Sequence, residues 1–174
     1  METTLTAPAN AAAQKVEPRA GKYLTFQLSA EEFAIRVLSV REIMGVQEIT
    51  AVPQVAGYVK GVLNLRGKVI PVVDLRLKFG LEEAAYTPRT CIIVVQIQRG
   101  GAKLPIGVIV DAVSEVLTLQ GGEIEDTPDF GNGAATPYLV GMAKVKGKVK
   151  ILLDIDRVLS SQDASLPNEM LSGE

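Results

Sequence analysis

One stretch of this chain occurs twice, and that repeat limits what the chain can fold into. Tyr58, Gly61, Gly67, Lys68, Val69 and Asp74 return as Tyr138, Gly141, Gly147, Lys148, Val149 and Asp154 at one constant offset. Between them the types match as well: Leu65 with Val145, Arg66 with Lys146, Val72 with Leu152, Val73 with Leu153, Leu75 with Ile155. Fainter echoes precede the strong one. Phe26-Gln27-Leu28 answers Val95-Gln96-Ile97, Ile35 and Val37 answer Ile106 and Val108, and Val40-Arg41-Glu42-Ile43 answers Val113-Ser114-Glu115-Val116. Segments repeated in one order mark a duplicated module.

The first copy of the strong stretch shows what the module is made of. Leu63 and Leu65 alternate with Asn64 and Arg66, the pattern of a strand with one wet face. Val69, Ile70, Val72 and Val73 are nearly continuous, the pattern of a strand buried on both sides. Gly67 between them supplies the positive φ of a tight hairpin turn. Asp74 is placed to cap a short helical turn over Leu75-Arg76-Leu77-Lys78-Phe79. The aromatic fraction is 5% and Trp is absent, so the core must be built of Val, Ile and Leu, which suits strands.

Each module offers about five short strands and no long helix. The expected fold is therefore all-β: two SH3-like five-stranded β-barrels related by internal duplication, with short helical turns and a C-terminal helix. The halves divide as a disordered tail (1–20), a first barrel (21–88), a second barrel with the terminal helix (89–160) and a C-terminal tail (161–174). Barrels of about seventy residues bury little alone, so a third apolar contact between them is expected, with a groove along the junction.

Finer expectations follow from local pattern. Residues 38–44 suggest one or two helical turns and 46–49 a short strand, while 111–116 repeat the turn before a strand at 117–119. Pro71 implies an edge or a bulge, and an open edge could accept a partner's strand. Residues 120–137, rich in Gly, Pro, Asp and Asn, point to function or mobility. The last residues fray unless Leu166, Met170 and Leu171 dock a final turn.

Several function classes drop out. The chain has no His, which removes the usual general base, His-dependent triads and most zinc sites. The lone Cys91 opens an apolar run and reads as a packed hydrophobe in a reducing compartment. No apolar run is long enough to span a membrane, and the N-terminus lacks the pattern of a secretion signal, so a cytoplasmic protein is expected. Asp74, Asp111 and Asp154 each end a β run. A Mg²⁺ cluster is one reading, but recurrence at the same place in both copies makes Asp74 and Asp154 equivalent caps, so no metal and no cofactor are expected. Gly107 and Gly121-Gly122 form no phosphate loop. The basic turns at Arg66-Gly67-Lys68 and 144–148 lack an aromatic platform, and the net charge is −2, so no nucleic acid is expected. Arg66 stands apart: beside Asn64, with a carboxylate such as Glu42 nearby, it suits a polar anchor in a protein interface.

The run Gly61-Val62-Leu63-Asn64-Leu65-Arg66-Gly67 followed by Ile70-Pro71-Val72-Val73-Asp74-Leu75-Arg76 resembles the signature of the CheW family of bacterial chemotaxis couplers. Val40-Arg41-Glu42-Ile43 and the run 107–113 support it, and the resemblance covers residues 23–159. It implies a non-enzymatic adaptor with two partners, the cytoplasmic tip of methyl-accepting chemoreceptors and the regulatory domain of a CheA-type histidine kinase. Other CheW-like domains would join it in arrays. It also implies recruitment to the inner membrane face through receptors rather than insertion. On the receptor side it places Val40, Glu42, Asn64, Arg66 and Cys91. The kinase side falls on the second barrel, with no residues assigned. The alternative from another class is a nucleic-acid-binding tandem barrel.

Overall fold

The structure, a computed structural model, describes residues 19–127 and 138–159. The expectations for the two tails and for the latter part of 120–137 therefore lie outside the described residues, except at Arg19 and Ala20. Arg19 is held in place: Nη1 donates to Asp126 Oδ1 at 2.9 Å, and its carbonyl accepts from the Tyr23 hydroxyl at 2.7 Å.

Eleven strands run in chain order among the described residues: β1 (Gly21–Leu28), β2 (Glu31–Arg36), β3 (Val40–Gly45), β4 (Val59–Leu65), β5 (Lys68–Asp74), β6 (Cys91–Arg99), β7 (Ala102–Val110), β8 (Ala112–Leu119), β9 (Ile124–Glu125), β10 (Leu139–Val145) and β11 (Lys148–Leu153). Two one-turn helices, α1 (Leu75–Lys78) and α2 (Ile155–Val158), follow β5 and β11. One sheet has the order β8-β1-β2-β11-β10-β9 and the other β3-β6-β7-β5-β4. The all-β fold of two SH3-like barrels is thereby confirmed.

The duplication is visible in the pairing itself. β3 pairs antiparallel with β6 as β8 does with β1, and β5 pairs parallel with β7 as β11 does with β2. The contiguous division at residue 88 does not survive this. β6 and β7, from the second repeat, complete the sheet of β3, β4 and β5, while β1 and β2 complete the sheet of β8 to β11. One barrel is thus the continuous segment 40–110, nested inside a barrel made from the chain on either side of it. The physical reason is that a hairpin pairs equally well with its own copy or its neighbour's, because the partner strands have the same types and directions.

Because each first hairpin is sandwiched between barrels, it is buried on both faces. Ile92 and Val94 of β6 point into their barrel with Leu63, Ile70, Val72 and Ile109. Ile93, Val95 and Ile97 point the other way, into a larger cluster with Leu24, Phe26, Ile35, Leu75 and Leu153. The other barrel has its own interior of Tyr23, Ala34, Leu119, Ile124, Ala143 and Leu152. The expected third apolar contact is the main core of the molecule.

Local expectations fail at 38–44, 46–49 and 111–116. Residues 40–45 and 112–119 are strands, with only a 3-10 turn at Val37–Ser39, and 46–49 form no strand. Here pairing of β3 on β6 and β8 on β1 overrides the short helix-like spacing of Val40, Ile43 and Met44. Nor is β5 an edge, since it lies between β7 and β4. Pro71 is tolerated because pairing with β7 begins only at Val72, and the β4–β5 register shifts nearby, between Val59 and Gly61.

The caps are as expected. Asp74 Oδ1 accepts from Arg76 N at 2.9 Å and Asp154 Oδ1 from Asp156 N at 3.1 Å, while their own amides donate to the Tyr58 and Tyr138 carbonyls, each at 2.8 Å. Asp74 is fully buried, and burial raises its carboxyl pKa, opposed by the Arg76 amide and by Lys60. A carboxyl with a raised folded pKa favours the fold at low pH and loses that contribution as pH rises through the folded value. Asp74→Asn keeps the capping oxygen without the buried charge, so its stability relative to wild type should improve between pH 4 and pH 7. Asp74→Ala, which also loses the cap, should cost about 1 kcal/mol at pH 4 and less at pH 7. Urea unfolding at the two pH values checks this.

Candidate functional site

The β4–β5 hairpin turns on two residues with positive φ, Arg66 at 53° and Gly67 at 87°, the backbone of a two-residue turn matched to strand twist. Asn64 closes the turn: its Oδ1 accepts from Gly67 N at 2.8 Å. An arginine in the left-handed region is uncommon, and its effect here is to aim the side chain back over the barrel wall. There Nη2 donates to both carboxylate oxygens of Glu42 on β3, each at 3.0 Å.

Glu42 is half-buried, with 29% of its side chain exposed, whereas Arg66 is 71% exposed. An ion pair this open contributes about 0.2–1 kcal/mol to folding. Its main consequence is geometric: it holds a guanidinium in one place through Nη2, with Nε and Nη1 outside the pair. Met44, Gln47 and Leu63 line a shallow hollow of about 350 Å³ beside the pair.

Val40 and Cys91 sit elsewhere in the fold. Both pack partly buried against the core between the barrels, and the Cys91 thiol donates to the Arg89 carbonyl at 3.2 Å. Glu42, Asn64 and Arg66 lie on the wall of one barrel. β3 links the two groups, because it carries both Val40 and Glu42 and pairs through Gly45 with Cys91.

Two exposed apolar residues were not legible in the sequence. Leu38, in the 3-10 turn before Val40, is 90% exposed, and Ile43, beside Glu42, is 44% exposed. A large aliphatic side chain such as Ile43, held in water beside an ordered charge pair, makes an interaction surface. Read as helical turns, residues 38–44 give no sign that these two side chains stand in water; the 3-10 turn and the strand leave them there.

The acidic residues do not gather. Asp74 and Asp154 cap their helices, and Asp111 pairs with Arg76 and accepts from Ser29 N at 2.6 Å, tying the β1–β2 turn to α1. Among the described residues no group of three or more Cys, Asp or Glu is placed to hold a metal, and no helix is long and apolar enough to cross a membrane.

Comparisons with known proteins agree on one family. The family model described as CheW-like domain matches residues 22–163. The chain is 37% identical over 145 residues to the Chemotaxis protein CheW of Klebsiella aerogenes, covering 83% of this chain and 85% of that one. It is 34% identical over 140 residues to the Chemotaxis protein CheW of Rhizobium meliloti, covering 80% and 88%. Among solved structures it is similar to the scaffolding protein TtCheW from Thermoanaerobacter tengcongensis, with a TM-score of 0.72 and 31% identity over 84% of this chain and 98% of that one.

Proposed function

The chain belongs to the CheW family, and on that premise we propose that it is a non-enzymatic adaptor coupling chemoreceptors to a CheA-type histidine kinase. The observation that carries the reading for this chain is the Glu42–Arg66 pair, an ordered charge at the surface beside the exposed Ile43. The receptor tip docks on this face, with Arg66 as polar anchor, Asn64 holding its turn, and Val40 and Cys91 at the neighbouring junction. The kinase regulatory domain binds a different face, on the barrel built from both chain ends. Other CheW-like domains extend the assembly, and the protein works in the cytoplasm at the inner membrane face, where receptors recruit it.

Scaffolding of this kind acts by mass action. Two surfaces on one rigid body raise the effective concentration of each partner for the other. Coupling of receptor state to kinase then requires that the two bindings influence each other's affinity. The nucleic-acid reading has no support in the family or its relatives.

Titration with the kinase regulatory domain, followed by a receptor-tip hairpin, tests the two-surface arrangement. Arg66→Ala should weaken receptor-tip binding about tenfold, roughly 1.4 kcal/mol, and leave kinase binding within about twofold, since removing an exposed pair barely touches the fold. Equal loss of both bindings, or no kinase binding at micromolar concentration, would overturn the reading.

A further inference from the structure

A second surface lies away from Arg66. Between β2, the segment after α1, and the β10–β11 hairpin runs an apolar groove of about 540 Å³, lined among others by Phe33, Phe79, Leu81, Tyr138, Met142 and Ile151. Its floor is a row of rings, Phe33 to Phe79 at 5.8 Å and Phe79 to Tyr138 at 5.7 Å. Directly opposed residues of an antiparallel pair share a face. Met142 faces Ile151 in the groove, and one step on, Lys144 faces Val149, which is 45% exposed. The apolar groove therefore continues into a basic hairpin tip.

That tip carries Lys144, Lys146 and Lys148, all exposed, and none is in an ion pair or hydrogen bond among the described residues. In the other repeat Lys146 corresponds to Arg66, whose charge Glu42 answers. Among the described residues Glu31 is the one carboxylate lining the groove. Lys148 shares a hollow with Glu31 and Glu32, but an apolar trough ending in three cations that form no ion pair among the described residues still calls for a segment with large apolar side chains, several carboxylates and no cation of its own.

We propose that the occupant is the chain's own segment 160–174. It reads Ser-Ser-Gln-Asp-Ala-Ser-Leu-Pro-Asn-Glu-Met-Leu-Ser-Gly-Glu: Leu166, Met170 and Leu171 with Asp163, Glu169 and Glu174, and no Lys or Arg. Residues 1–18 lack this chemistry, carrying Lys15 and few large apolar side chains. The described chain also leaves from the right place. Leu159 is buried in the same cluster against which Phe33, Phe79 and Tyr138 pack, and the seven residues to Leu166 span up to about 23 Å when extended. Tethered so closely, the segment occupies the groove at an effective concentration on the order of millimolar, so any partner using this face must displace it. The inference does not depend on the adaptor reading.

Hydrogen–deuterium exchange tests it on three proteins: the full chain, the chain ended after Leu159, and the full chain with Lys144→Glu and Lys148→Glu. Amides at 79–81 and 138–143 should exchange at least about fivefold faster in the second and third than in the first. A synthetic peptide of residues 160–174 should restore protection to the shortened chain and lose its effect at high salt, while a scrambled peptide should not protect. Circular dichroism and urea unfolding confirm that each variant is folded. Equal exchange in the full and shortened chains overturns the proposal. So does equal protection by the scrambled peptide, and so does protection that grows with protein concentration, which assigns the groove to a second copy.

Discussion

Gly61→Ala lowers the thermal unfolding midpoint by about 10 °C, whereas Gly67→Ala, six residues away, lowers it by only about 3 °C. Both glycines have positive φ, 141° and 87°. A methyl on Gly67 meets nothing within 4 Å, so its substitution costs only the left-handed backbone, about 1 kcal/mol. At Gly61 a Cβ falls 1.9 Å from the Thr50 carbonyl oxygen and 2.7 Å from its carbon. That oxygen accepts from Val62 N at 2.8 Å, and Thr50 N donates back to the Val62 carbonyl at 2.9 Å. This bridge holds the β3–β4 connection against β4, so relief of the clash must break it. Strain and lost bonds together amount to about 3 kcal/mol. Gly141 repeats the device, its Cβ position 2.6 Å from the Glu125 carbonyl on β9. Differential scanning calorimetry of the two variants decides the matter, and equal shifts would refute the close-approach argument.

Glu32→Ala is expected to destabilise the protein by about 3 kcal/mol. Glu32 of β2 pairs with Lys150 of β11 across the parallel contact that joins the chain's two ends, and Lys150 has only 6% of its side chain exposed. Removing the carboxylate leaves an ammonium facing a barrel interior with no answering charge. Removing both charges is a different experiment. Glu32→Leu combined with Lys150→Met keeps the volume and omits both desolvation costs, so the double variant should lie within about 1 kcal/mol of wild type. A double-mutant cycle in urea reads the coupling directly, and additivity of the two single changes would show that the pair contributes nothing specific.

Much of this was legible beforehand because it is local. Asp74 and Asp154 cap because a carboxylate oxygen reaches the amide two residues on, whatever surrounds it. The turns at Arg66-Gly67 and Lys146-Gly147 form because two positive φ values suit a twisted hairpin, and the repeat announces both at once. Val40–Gly45 shows the same reason in reverse. Its spacing carries a helix-like period, and only the presence of β6 alongside makes it a strand.

The candidate site divides along the same line. Arg66 and Asn64 belong to one turn, so their proximity is a property of that turn. Glu42 reaches Arg66 because β3 and β4 flank the same barrel, and Leu38 is exposed because the 3-10 turn lies where the chain passes between barrels. Neither follows from spacing.

The sequence by itself determined that a module is used twice, which segments are strands around Gly67 and Gly147, and where the helices are capped. Only the tertiary structure decided that the first hairpin of each copy completes the other's barrel, that Asp111 joins Arg76, and that Lys150 is buried against Glu32. Periodicity and turn chemistry are settled within a few residues. The choice between two equivalent partners is not, because both satisfy the same strand patterns, and only the packing of the whole core distinguishes them.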